Sequence, residues 1–149
     1  MEYPYILSTI TVIIGVCVAA VAYQQYRLGK EKFKLDLFEK RFAVYKGVQI
    51  FLTHVMSEAK VDLQKFFEFR GATQDAVFLF ESDIPDFIKQ IDKKALELKT
   101  VSEKRRNLPR GEEKSRLVQQ ESKLLEWLID QLPRLKEAFS PYLKFKVWR

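Results

Sequence analysis

The sequence predicts an all-α protein in which a single N-terminal transmembrane helix continues into a cytoplasmic bundle of four or five helical segments. Three observations predict it. An uncharged run extends from Tyr3 to Gln25. Gly and Pro number only five each in 149 residues, too few for the frequent turns of a many-stranded sheet. Beyond the uncharged run, apolar residues recur at three- and four-residue spacing, the period of a helix with one buried face.

The first element is the apolar run itself. Tyr5 to Tyr23 supplies 19 mostly apolar positions, close to the roughly 20 that a helix needs to cross about 30 Å of hydrocarbon. Ile6, Leu7, Ile10, Val12, Ile13, Ile14, Val16 and Val18 cover every side of that helix. A helix buried in a soluble core would need partners all round, and the remaining chain is too short to supply them. Ala20-Val21-Ala22 resembles a signal-peptide cleavage site, but no Lys or Arg precedes the run, and the run exceeds the usual h-region of about 7–15 residues. The expected organisation is therefore a transmembrane anchor over residues 1–26 and a cytoplasmic helical domain over residues 27–149.

Charge sets the expected orientation. All 26 Lys and Arg follow Gln25, as do all but one of the 20 acids. Arg27, Lys30, Lys32 and Lys34 stand directly behind the run and are expected to contact the membrane surface on the cytoplasmic side, leaving the N-terminus outside. Tyr3, Tyr5, Tyr23 and Tyr26 fall where aromatic rings favour the headgroup layers. Within the run, Ser8, Thr11, Gly15, Ala19 and Ala22 form a stripe of small residues, an expected membrane-helix packing face because small side chains let backbones approach closely. Cys17 is expected to act there as a small hydrophobe.

No Pro interrupts Tyr5 to Ile84, so the anchor is expected to continue as one long helix to about Ser57. Leu35, Phe38, Phe42, Tyr45, Leu52 and Met56 make one row, and Leu37, Val44, Val48, Phe51 and Val55 a second. Gly29 and Gly47 are the expected bends. Two short helices, Asp62–Arg70 and Thr73–Phe80, are expected to be separated at Gly71, with Phe66, Phe67, Phe69, Phe78 and Phe80 capping the core. Asp83 is the expected N-cap of the next helix and Pro85 lies in its first turn. Its apolar face is Ile84, Phe87, Ile88, Ile91, Ala95, Leu96 and Leu98. Asn107, Pro109 and Gly111 mark a turn. A last helix from near Gly111 is expected to turn Leu117, Leu124, Leu125, Leu128, Leu132 and Leu135 inward, with a kink at Pro133.

Four stretches carry a family resemblance: KLDLFEKRFAVY (Lys34–Tyr45), AVFLFESDI (Ala76–Ile84), LLEWLIDQL (Leu124–Leu132) and FSPYLKF (Phe139–Phe145). Together they resemble a group of small bacterial proteins of unknown function that carry one N-terminal membrane helix. The resemblance implies a bacterial plasma (inner) membrane, and it implies no activity.

Little in the sequence points to catalysis. There is no Gly-rich phosphate loop, nucleophile elbow or HExxH motif. A single Cys and a single His, His54, rule out internal disulfides and multi-Cys or multi-His metal sites. The acids Glu81, Asp83 and Asp86 lack the further oxygens and Gly turn of a calcium loop. No catalytic, cofactor or metal residues are expected.

The remaining candidates are surfaces. Arg105, Arg106 and Arg110 form a basic cluster with Lys104. A helix from Asp83 running back antiparallel to the first would bring them to lipid headgroups as a second membrane contact. Nucleic acid is the weaker expectation for that cluster, because no aromatics interleave with these cations. Tyr142, Phe145 and Trp148 are expected either to pack on the first helix or to touch a partner. The expected partners are the lipid bilayer and either further copies of the chain or a larger membrane-protein complex. The competing expectation is a membrane-perturbing effector that lines a pore with the Ser8–Ala22 stripe, against which the uncharged span weighs.

Overall fold

The computed structural model describes the backbone of residues 3–144 and the side chains of residues 8–144, and these are all-helical. The elements are α1 (Tyr3–Glu58), α2 (Leu63–Thr73), the single turn α3 (Ala76–Leu79), α4 (Asp83–Asn107) and α5 (Glu112–Leu143). The chain divides into two units, Met1–Leu37 and Phe38–Arg149. In the first, every described side chain from Ser8 to Phe33 is exposed. By length and composition α1 is the one helix among the described residues apolar enough to cross a membrane.

The core belongs to the second unit. Val44, Val48, Phe51 and Val55 recur at four- and three-residue steps on α1 and are buried, so the second of the two rows faces inward. Of the first row, Leu52 is buried, whereas Leu35, Phe42 and Met56 remain exposed. From α4 come Ile84, Ile88, Ile91, Ala95, Leu98 and Val101, and from α5 Leu124, Leu128, Leu135 and Phe139. Side-chain contacts give the directions. Near Phe38, Tyr45 packs edge-on against Phe139, and Arg41 reaches Leu79 and Tyr142. At the other end, Glu58–Asp62 share a cleft with residues 99–106 of α4 and with Glu121 of α5. α4 therefore runs parallel to the α1 segment from Phe38 onward, and α5 returns antiparallel to both.

Several local expectations are corrected. Gly71 does not stop α2, which runs on to Thr73; no glycine lies in the left-handed region. Gly47 is a close approach inside an unbroken helix: a Cβ built there would stand 2.5 Å from the Ala72 Cβ. Ser82, not Asp83, precedes α4, and Asp83 and Asp86 occupy its first turn, where their charge complements the helix dipole. α5 continues as one element through Pro133 and Pro141. Phe67, Phe78 and Leu96 are exposed, while Phe66, Phe69 and Phe80 are buried. Leu132 is half-buried against the core, beside Gln131, 2% exposed, whose amide nitrogen donates to the Trp127 carbonyl at 2.7 Å. That bond is what makes a core glutamine tolerable.

Candidate functional site

The small-residue stripe of the first unit lies open. Ser8, Thr11, Gly15, Ala19 and Ala22 are all exposed on α1, and nothing comes within 4 Å of a Cβ built at Gly15. Arg27, Lys30 and Lys32 are exposed just beyond, and Lys34 pairs with Glu31 at 3.4 Å one helical turn back. An exposed pair of this kind adds at most a few tenths of a kcal/mol. The cationic character of the segment is therefore left for other surfaces.

The second basic cluster sits differently from what antiparallel packing would give. Because α4 runs parallel to α1 within the second unit, Arg105, Arg106 and Arg110 lie at the end of that unit opposite Phe38. Arg105 is not a free cation. Its Nε meets Glu121 at 2.6 Å, and Ser102 shares the same carboxylate through a short hydrogen bond. Around them a cleft of about 440 Å³ brings Glu58, Asp62, Glu103 and Glu121 against Lys60, Lys99, Arg105 and Arg106. Lys99 pairs with Glu103 at 3.2 Å and Lys60 with Glu58 at 3.4 Å. Cation and acid balance there, so the cleft is a poor attractor for a polyanion.

The most elaborate cluster ties four elements together near Phe38. Arg41 donates from Nε to the Leu79 carbonyl at 2.8 Å, and its guanidinium lies over the rings of Phe80 (5.6 Å) and Tyr142 (5.4 Å). Tyr142 donates its hydroxyl to Asp83 at 2.7 Å. Burial, and secondarily the Asp83 bond, push the Tyr142 hydroxyl up to about 12. Burial also lowers the Arg41 guanidinium from its ordinary value, though an arginine stays charged at any physiological pH. Aromatic contacts continue outward from this point: Phe80 to Phe139, Phe139 to Tyr45, Tyr45 to Phe42 and Phe42 to Phe38, each with ring centres 5.2–5.8 Å apart.

Chemically this cluster is a fastening. Its polar atoms bond within the cluster, Arg41 to the Leu79 carbonyl and Tyr142 to Asp83. Of the expected partner-contact residues, Tyr142 is engaged here, while Phe145 and Trp148 lie outside the described residues. Sequence reading missed Arg41, whose only signal was a cation set between the apolar positions Phe38, Phe42 and Tyr45. Elsewhere, His54 is half-buried with Nε2 lacking a hydrogen-bond partner. Among the described residues, no three His, Cys, Asp or Glu converge as a metal would need.

No family model matches the chain, and neither a curated protein nor a solved structure matches it.

Proposed function

We propose that the chain is a non-enzymatic, single-pass membrane protein. Its helical domain is held at the cytoplasmic face of a bacterial plasma membrane, where it acts as an interaction or accessory subunit through self-association or within a larger complex. The observation that carries this reading is α1 itself: an apolar segment exposed on every side, followed without a helix break by four cations and then by the α1 row that builds the core. Apolar side chains exposed all round a helix are stable only in a nonaqueous solvent or against other chains. The cations favour a cytoplasmic placement of the domain.

Alkaline carbonate extraction of membranes tests the anchor. The full chain is expected to stay with the pellet, and a chain lacking residues 1–26 to become soluble; release of the full chain would refute the anchor. Mild-detergent purification of differently tagged copies tests the interaction. A single-copy species with no co-purifying protein would refute the subunit role.

A further inference from the structure

We infer that the residues following α5 form a strap within the chain, with Phe145 seated on Phe38 at the end of the aromatic row on α1. The strap ties the point where α1 enters the Phe38–Arg149 unit to the end of that unit's last helix. It does not depend on the membrane placement proposed above. The row itself is well defined. Phe38 and Phe42 stack at 5.7 Å and Phe42 and Tyr45 at 5.8 Å, and Tyr45 meets the buried Phe139 edge-on at 5.6 Å. Phe38 and Arg41 each take part in a further interaction besides those with Phe42, Leu79, Phe80 and Tyr142.

Register and reach identify the occupant. α5 runs antiparallel to this part of α1, and the two helices meet at a regular step: Tyr45 packs on Phe139, and one turn further the Arg41 guanidinium lies 5.4 Å from the Tyr142 ring. The next step of that progression sets Phe38 against Phe145. α5 ends at Leu143 and Lys144 is extended, with ψ 115°, so reach rather than helical register limits where the next ring can go. Three residues span at most about 10 Å, and Phe38 stands one helical turn, about 5 Å, from Arg41. Phe145 is thereby confined beside Phe38 at an effective concentration on the order of millimolar, which a separate partner has to exceed. Charge agrees with this placement. Residues 144–149 carry Lys144, Lys146 and Arg149 and no acid, and the end of α5 that they follow is flanked by Glu81 and Asp83, both beside Tyr142.

Two measurements on the full-length chain in mild detergent test the strap. In a Cys17→Ser background, Phe145→Cys is combined with Phe38→Cys or with Glu39→Cys, an exposed neighbour about 100° round the helix, and oxidised with copper phenanthroline. The pair at 38 and 145 is expected to close within one chain roughly tenfold faster than the pair at 39 and 145, because a seated segment lacks the freedom of a merely tethered one. Equal rates would overturn the strap, and so would disulfides that form only between chains, which would point to a second copy. The strap with its rings in place is read by trypsin, with cleavage after Lys144 and Lys146 followed by mass spectrometry. Phe38→Ala is expected to speed that cleavage roughly tenfold, the loss of one aromatic contact, while cleavage after Arg110 in the turn before α5 keeps its rate and reports an intact fold. Cleavage after Lys144 and Lys146 that is unaffected by Phe38→Ala, or protection that fades on dilution, would refute the inference.

Discussion

At the residue scale, two glycines show how position decides what a missing side chain is for. The Cβ of a Gly47→Ala variant would collide with Ala72, so α1 and α2 must separate or distort. A loss of about 1–3 kcal/mol is expected, as for other overpacked cores. Gly71 is also helical, but nothing lies within 4 Å of its added Cβ, and Gly71→Ala should stabilise by up to about 1 kcal/mol through helix propensity. Urea unfolding of the two variants is expected to shift in opposite directions. Tyr142 gives a pH signature. Its folded pKa, raised to about 12, exceeds the ordinary value of 10. The associated stability is therefore complete below pH 10 and is lost as pH rises from 10 to 12. Tyr142→Phe should remove that part of the alkaline loss, seen as a smaller fall in melting temperature between pH 9 and 11 than in the wild type.

At the element scale, the helices most legible in the sequence were those with a long, single-faced pattern. α4 and α5 could be read from Ile84, Ile88 and Ile91 and from Leu124, Leu128 and Leu135, because each row keeps one period for many turns. α2 and α3 were read with a misplaced break and a partly wrong set of core aromatics. Gly71 resembles a stop signal, and five phenylalanines within fifteen residues give no period that separates the buried Phe66 and Phe69 from the exposed Phe67 and Phe78. The direction of α4 was not legible at all, since it depends on which ends meet across the unit, and a lone Arg41 does not announce Leu79 or Tyr142 as its partners. The end of α1 adds a test. Ala59, just past Glu58, holds a left-handed φ of 50°, a conformation that glycine adopts without a Cβ clash. Ala59→Gly is expected to gain about 0.5–1 kcal/mol in thermal unfolding despite glycine's greater freedom when unfolded.

At the scale of the whole molecule, the two units differ in what stabilises them. The Phe38–Arg149 unit contains the entire buried apolar cluster of the described residues, so residues 38–149 made as a separate chain with Trp148→Phe are expected to fold cooperatively, with a single urea transition followed alike by circular dichroism and by Trp127 fluorescence. A broad, non-coincident transition would show that the fold depends on the preceding segment. Glu121 fastens the far end of that unit. Its side chain is 12% exposed and serves both Ser102 and Arg105, so Glu121→Ala leaves two donors poorly satisfied and is expected to cost about 1–3 kcal/mol.

The parallel course of α4 has one more result. Phe38, where the domain's first helix enters, and Lys144, where its last helix ends, emerge on the same side, and the Leu108–Gly111 turn occupies the opposite pole. A change of length in that turn would leave the Arg41–Tyr142 fastening undisturbed, provided the Lys114 bond to the Leu108 carbonyl is kept, whereas the same addition after Lys144 would crowd that fastening.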